Sequence, residues 1–169
     1  MAWSLFRRSP AASPTTLPKE SYIGLQFERD GTPDVWLVNQ ALIGLADTAR
    51  FPWNLSMIVE MEETLENGMP TSAEQRVLGE MGQQLADSLK ANDNGLFVAS
   101  GSWQGVRHLY YQIRDPEIAQ QFLQGFVASP AAVRAMEYRM ESDPTWSHVE
   151  QLLDAARRAQ LMPKTSLRE

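Results

Sequence analysis

Between Tyr22 and Arg29, Ile23, Leu25 and Phe27 alternate with Gly24, Gln26 and Glu28, and a second apolar run from Val35 to Asn39 follows Asp30-Gly31. A period of two marks a strand, and Asp-Gly supplies the positive φ of a tight turn, so this stretch reads as a β-hairpin. The next stretch, QALIGLADTAR, is apolar but interrupted by Gly44, and predicts a packed loop with at most a turn of helix. Leu55, Met57, Val59 and Met61 then fall on one face, with Ser56, Ile58, Glu60 and Glu62 on the other, the pattern of a third strand. Asn67-Gly68 breaks the chain, and Thr71 with Glu74 has the spacing of a reciprocal helix cap. Val77, Leu78, Met81, Leu85 and Leu89 carry the apolar stripe of the helix that follows, and the Asn92 to Gly95 run ends it.

Two strands, Leu96 to Ser102 and Val106 to Arg114, flank Trp103-Gln104-Gly105 and form a second hairpin. Asp115-Pro116 starts a helix whose face is Ile118, Phe122, Leu123 and Phe126. A strand from about Val133 to Glu141 alternates Met136, Tyr138 and Met140 with Glu137, Arg139 and Glu141. Asp143-Pro144 repeats the helix-starting pair, and the last helix carries Trp146, Val149, Leu153 and Ala156 on one side, with Arg157 and Arg158 suited to its C-terminal dipole.

From Asn54 to Glu141 the order is strand, helix, strand, strand, helix, strand, which predicts an α+β fold with a ferredoxin-like βαββαβ antiparallel sheet, an N-terminal β-hairpin and a C-terminal helix. Right-handed crossovers put the first two helices on one side of the sheet. On the open side Glu60 is expected between Glu137 and Arg139 on one neighbour and His108 and Tyr110 on the other. The hairpin from Ser21 to Asn39 either covers that side or extends an edge. Residues 1–19, with three prolines between Ser9 and Pro18, are expected to be a flexible lead-in, residues 20–160 a single domain and residues 161–169 a flexible tail.

Composition narrows the chemistry. With no cysteine among 169 residues there is no disulfide, thiolate nucleophile or cysteine-metal site. His108 and His148 are the only histidines, and Asn92-Asp93-Asn94-Gly95 lacks the alternating acids of a calcium loop, so no metal or other cofactor is expected. Residues 20–143 hold 18 acids against 8 bases, an excess of ten negative charges. Such a surface repels polyanions, which argues against nucleic acid despite Tyr110 and Tyr111 on a sheet, and favours a protein partner or a homodimer. MAWSLFRR is followed by no apolar signal core, and no run suits a membrane span, so the expected location is the cytoplasm. Peripheral membrane contact through Trp3, Leu5 and Phe6 is the alternative. Asn54-Leu55-Ser56 matches a glycosylation sequon.

Asn67-Gly68-Met69-Pro70, the capped helix after it, the Gly105 to Tyr111 stretch GVRHLYY and Asp143-Pro144-Thr145-Trp146 resemble the bacterial domain of unknown function numbered six-nine-five, over roughly Ser21 to Leu153. The resemblance implies a cytosolic bacterial protein and carries over no activity, cofactor or catalytic residue. Some relatives look joined to a domain similar to regulator of ribonuclease activity B, an inhibitor of a ribonuclease, and that extra domain is not expected here.

Glu60, His108, Tyr110, Glu137 and Arg139 form the candidate binding group. A carboxylate beside a histidine can tune it for proton transfer, which makes Glu60 and His108 the candidate acid–base pair of a small hydrolase or isomerase. Ordinary cross-strand charge pairing accounts for the same residues. Gly101-Ser102-Trp103-Gln104-Gly105 has its serine misplaced for a nucleophile elbow and sits in a hairpin. The methionines at 57, 61, 81, 136 and 140 suit an adaptable core or, alternatively, a peptide groove. The leading expectation is therefore a non-enzymatic protein-interaction or regulatory module, with the hydrolase or isomerase as the alternative.

Overall fold

Each hairpin predicted from a glycine turn forms. The computed structural model describes residues 16–162. Trp3, Leu5 and Phe6, and with them residues 1–15 and 163–169 of the two expected flexible ends, lie outside the described residues. Strands β1 (Tyr22–Arg29) and β2 (Thr32–Asn39) meet at Asp30 and Gly31, both with positive φ (52° and 73°), the backbone a two-residue hairpin turn requires. Gln104 and Gly105 repeat this (43° and 80°) between β4 (Gly95–Trp103) and β5 (Val106–Ile113). With β3 (Trp53–Glu60) and β6 (Met136–Ser142) they make one antiparallel six-stranded sheet in the order β1-β2-β4-β5-β3-β6. The three helices are α1 (Ser72–Leu89), α2 (Pro116–Val127) and α3 (Glu150–Leu161). The QALIGLADTAR loop forms short 3-10 turns at Gln40–Leu42 and Thr48–Arg50.

The two sides of the sheet hold separate cores. On one, α1 places Leu78, Met81, Leu85 and Leu89, and α2 places Leu123 and Phe126, against Leu55, Met57 and Val59 of β3 and Leu109 and Tyr111 of β5. On the other, Val149 and Ala156 join Trp146 over Leu25, Trp36, Val38 and Val98. The hairpin does not cover a face. It extends the sheet, because β2 pairs with β4 through Val35 to Ser102, Trp36 to Gly101, Leu37 to Ser100 and Val38 to Ala99. A Cβ at position 101 would lie 2.4 Å from Trp36 ring atoms, so only glycine leaves room for the indole there.

Two caps differ from expectation. Thr71 Oγ1 accepts from the Glu74 amide (3.1 Å), but the Glu74 carboxylate does not return to Thr71, whose own N–H donates to the Glu63 carbonyl. Buried instead, it accepts from Arg134 Nε (2.9 Å) and Nη2 (2.8 Å) and from the Glu62 amide (3.2 Å). The expected strand from Val133 consequently begins only at Met136, after the turn that carries Arg134. Asp143-Pro144 likewise does not start the last helix. The Asp143 carboxylate accepts from the amides of Ser147 (2.8 Å) and His148 (3.0 Å), closing a turn, and α3 begins at Glu150. Within that turn Trp146 holds φ at 60°, which costs a bulky residue about 1–2 kcal/mol. It is compensated there by burial and by its indole N–H donating to the Phe51 (3.0 Å) and Thr48 (3.2 Å) carbonyls.

Arg134 holds the Glu74 carboxyl below its ordinary 4.5 through its hydrogen bonds, against the opposing effect of burial. A lowered carboxyl pKa contributes stability that is complete above the ordinary glutamate range and is lost as pH falls through the lower folded value. Arg134→Met, which strands a buried carboxylate, should lower unfolding free energy by about 3–5 kcal/mol, while Glu74→Leu with Arg134→Met should regain most of that loss. Urea unfolding at neutral pH measures both. Single and double variants of equal stability would show that the pair does not hold this corner of the fold.

Candidate functional site

A six-stranded sheet spans roughly 24 Å between its outer strands at ~4.8 Å per spacing, and each packed helix covers about 10 Å. On their side of the sheet α1 and α2 lie over the β4-β5-β3-β6 portion, and among the described residues β1 and β2 carry no helix there. Beside α1 this leaves a groove of about 700 Å³. Its floor includes Val35, Phe97 and Leu109, together with Tyr22 and Leu37, which are 41% and 43% exposed. Its wall is the flank of α1 bearing Gly79, Gly82 and Ala86. A Cβ added at Gly24, Gly79 or Gly82 would meet nothing within 4 Å among the described residues, so close packing among them does not require these three groove glycines.

Ser100 and Gln83 line the middle of the groove, and the charged groups sit toward its ends. At one, Lys90 pairs with Glu20 (3.1 Å), and the Tyr22 hydroxyl donates to Glu20 (2.9 Å). Burial, reinforced by Glu20, raises the Tyr22 hydroxyl well above its ordinary pKa. At the other end Arg107 Nε donates to Ser102 Oγ (3.1 Å) and Nη2 to Gln75 Oε1 (2.6 Å), both neutral acceptors. Burial lowers the Arg107 pKa and the charge of Glu74 opposes that.

The residues singled out from sequence lie on the opposite side of the sheet, and the register separates them. Ile58 stands between His108 and Glu137, and Ser56 between Tyr110 and Arg139; Glu60 is opposite Val106 at the strand's end. This corrects the expectation that Glu60 lies between those pairs. No hydrogen bond or ion pair joins Glu60 to His108 among the described residues. Arg139 pairs with Glu141 on its own strand (2.7 Å). His108 and Tyr110 both stack with Trp36, at centroid distances of 6.0 and 5.8 Å.

Tyr110 and Trp36 border a second cleft, of about 540 Å³, under α3. Asp34 within it is buried, accepting from Trp36 Nε1 (2.7 Å) and pairing with Arg29 (2.7 Å). His148 lies between Asp143 (3.0 Å) and Glu141 (3.3 Å), so both ring nitrogens face carboxylates. The described residues contain no cluster of histidine and acidic side chains able to hold a metal ion. Asn54 of the sequon is 1% exposed in a central strand, out of reach of glycosylation in the folded chain. The Ser102 hydroxyl of the GSWQG hairpin accepts from Arg107.

Sequence reasoning passed over Arg107, Gly79 and Gly82. Arg107 shares its strand face with Leu109, Tyr111 and Ile113, so a charge there breaks an otherwise buried row. The two helix-interior glycines each cost about 1 kcal/mol relative to alanine. Both signals are readable without coordinates.

The geometry defines a mixed α+β protein whose sheet is wider than its helical cover on one side. The model of the Family of unknown function (DUF695) matches residues 27–153, and the chain belongs to that family. The likeness to regulator of ribonuclease activity B is not part of that match. No curated protein and no solved structure gives a match. Among the described residues no helix is long and apolar enough to cross a membrane.

Burial lowers the His108 pKa from its ordinary 6.5; the charge of Asp34 opposes this and that of Arg29 adds to it. Its folded form therefore prefers to be neutral, and protonation below the ordinary value favours unfolding. An NMR titration of the imidazole should give a midpoint below 6.5, moving upward in Trp36→Leu as water gains access. A wild-type midpoint at or above 6.5 would refute the burial assigned to this side chain.

Proposed function

We propose that this protein is a non-enzymatic protein-interaction module, of a regulatory kind, that binds an apolar helical element of a partner in the groove beside α1. One observation carries the reading. Among the described residues the sheet extends two strands beyond its two-helix cover, leaving a trough about one helix wide with Tyr22 and Leu37 half exposed on its floor. A helix laid there would bury that apolar floor, at about 25 cal/mol per Å² removed from water, in the helix-in-groove mode of recognition. We read β3 to β6 with α1 and α2 as a ferredoxin-like unit, supported by the order of its strands, with the hairpin as the addition that makes the groove. The cytoplasm is the setting this reading assumes. The hydrolase or isomerase alternative draws no support from the register separating Glu60 and His108.

Gly82→Leu fills the groove without a clash at its Cβ and improves helix propensity by about 0.8–1 kcal/mol. Ile58→Glu alters the exposed centre of the opposite face. Cross-linking in the native cell followed by mass spectrometry should recover a recurrent protein with the wild-type chain and with Ile58→Glu, and lose it with Gly82→Leu. Retention in Gly82→Leu with loss in Ile58→Glu would move the interaction to the other face, and a monomer without partner would overturn the proposal.

A further inference from the structure

We propose that the occupant of the groove is an amphipathic helix of a partner protein that presents one carboxylate to Arg107. This rests on the interaction reading and adds the chemistry that selects the partner. Arg29, Lys90, Arg134 and Arg139 each meet a carboxylate. Arg107 lines an apolar groove and donates only to a hydroxyl and an amide oxygen among the described residues, so its remaining N–H donors are available.

Covering that guanidinium with apolar surface removes it from water, which is strongly unfavourable unless an anion takes up the free donors. A carboxylate fits because its two oxygens match the planar fork of the guanidinium. The overall negative charge of the domain disfavours a broadly acidic partner, so the complementary helix carries its acid at one position and is otherwise apolar toward the groove.

The helical form follows from the walls. The trough runs beside the 18-residue α1, and Gly79 and Gly82 let another backbone come close to that flank. Gly24 lowers the floor in the same way. An occupying helix would lie as a third member of the helical layer, with its acid toward the Gln75 and Arg107 end and apolar side chains over Leu37 and Tyr22.

A display library of helical peptides about five turns long, with a fixed apolar face and randomised flanking positions, is selected on the full folded chain. Peptides chosen on the wild type should converge on Asp or Glu at one position, and selection on Arg107→Glu should replace it with Lys or Arg. For a wild-type peptide, Arg107→Gln and the peptide's own acid-to-amide change should each weaken binding at least tenfold, the two together no more than either alone, with Arg107→Lys recovering part of the loss. Thermal unfolding of every variant confirms that the fold persists. Peptides lost with Gly82→Leu but indifferent to charge at Arg107 would refute the carboxylate and leave the interaction reading standing. Binding insensitive to Gly82→Leu would refute the groove itself. Tight binding of dodecanoate at Arg107, with no helical peptide selected, would overturn the helix in favour of a lipid-like acid.

Discussion

The indole of Trp36 occupies the place where a side chain at residue 101 would begin, and this packing joins the N-terminal hairpin to the rest of the sheet. The ladder between β2 and β4 runs from Val35 to Val38, short for an element that must hold two strands at an edge. Polar fastenings support it. Asn39 Nδ2 donates to the Phe97 carbonyl (3.1 Å) and Trp103 Nε1 donates to Thr32 Oγ1 (3.0 Å) across it, while Asp34, within β2 itself, accepts from the Trp36 indole and holds the ring in place. With β2 seated, one side of the sheet gains the floor on which Trp146 and α3 pack, and the other gains the uncovered strip beside α1. A larger residue at 101 would act on both sides at once, because close-packed interiors pass on the displacement of a ring.

The buried polar groups divide according to whether their partners complete them. Glu74 is closed by Arg134, Asp34 by Arg29 and Trp36, and Asp143 by Ser147 and His148. Each fixes a place where the chain changes direction or one layer meets another: the start of α1 against the turn before β6, the end of the hairpin, and the strap leading to α3. A satisfied buried charge of this kind defines a conformation more than it offers chemistry. Arg107 is different because its acceptors are neutral and its surroundings open onto the groove.

Much of this was legible in the sequence because short-range chemistry determined it. Asp30-Gly31, Gln104-Gly105 and Asp115-Pro116 each impose a backbone shape that no tertiary contact had to supply, and the period-two rows assigned strand faces correctly. Alternation fixes the face but leaves the register free, so it does not reveal that Ile58 rather than Glu60 stands beside His108. Thr71 and Glu74 have the spacing of a reciprocal cap, yet a guanidinium sixty residues away competes better for the carboxylate than one backbone N–H does. Asp143-Pro144 carries the same local signal as Asp115-Pro116, but the buried Trp146 holds a left-handed turn between it and the helix. Which side of the sheet α3 would cover, and hence where a groove would remain, depends on long-range packing that no local pattern records.

The glycines of the groove carry a cost in stability that the packing of the described residues does not explain. In a fold selected only for stability, Gly79 and Gly82 would be disfavoured, since each loosens the interior of α1 and neither is forced by a neighbour within contact distance. Gly101 shows the opposite case, where the fold itself forbids a side chain. The difference assigns the two kinds of glycine to different constraints: Gly101 serves contacts inside the chain, while Gly79, Gly82 and Gly24 keep the groove surface low without any described neighbour demanding it. Arg107 lies at the end of that same surface. Shape and charge are thus supplied by separate elements, α1 and β1 for the first and β5 for the second, and they converge on one trough because Trp36 fastens the hairpin alongside.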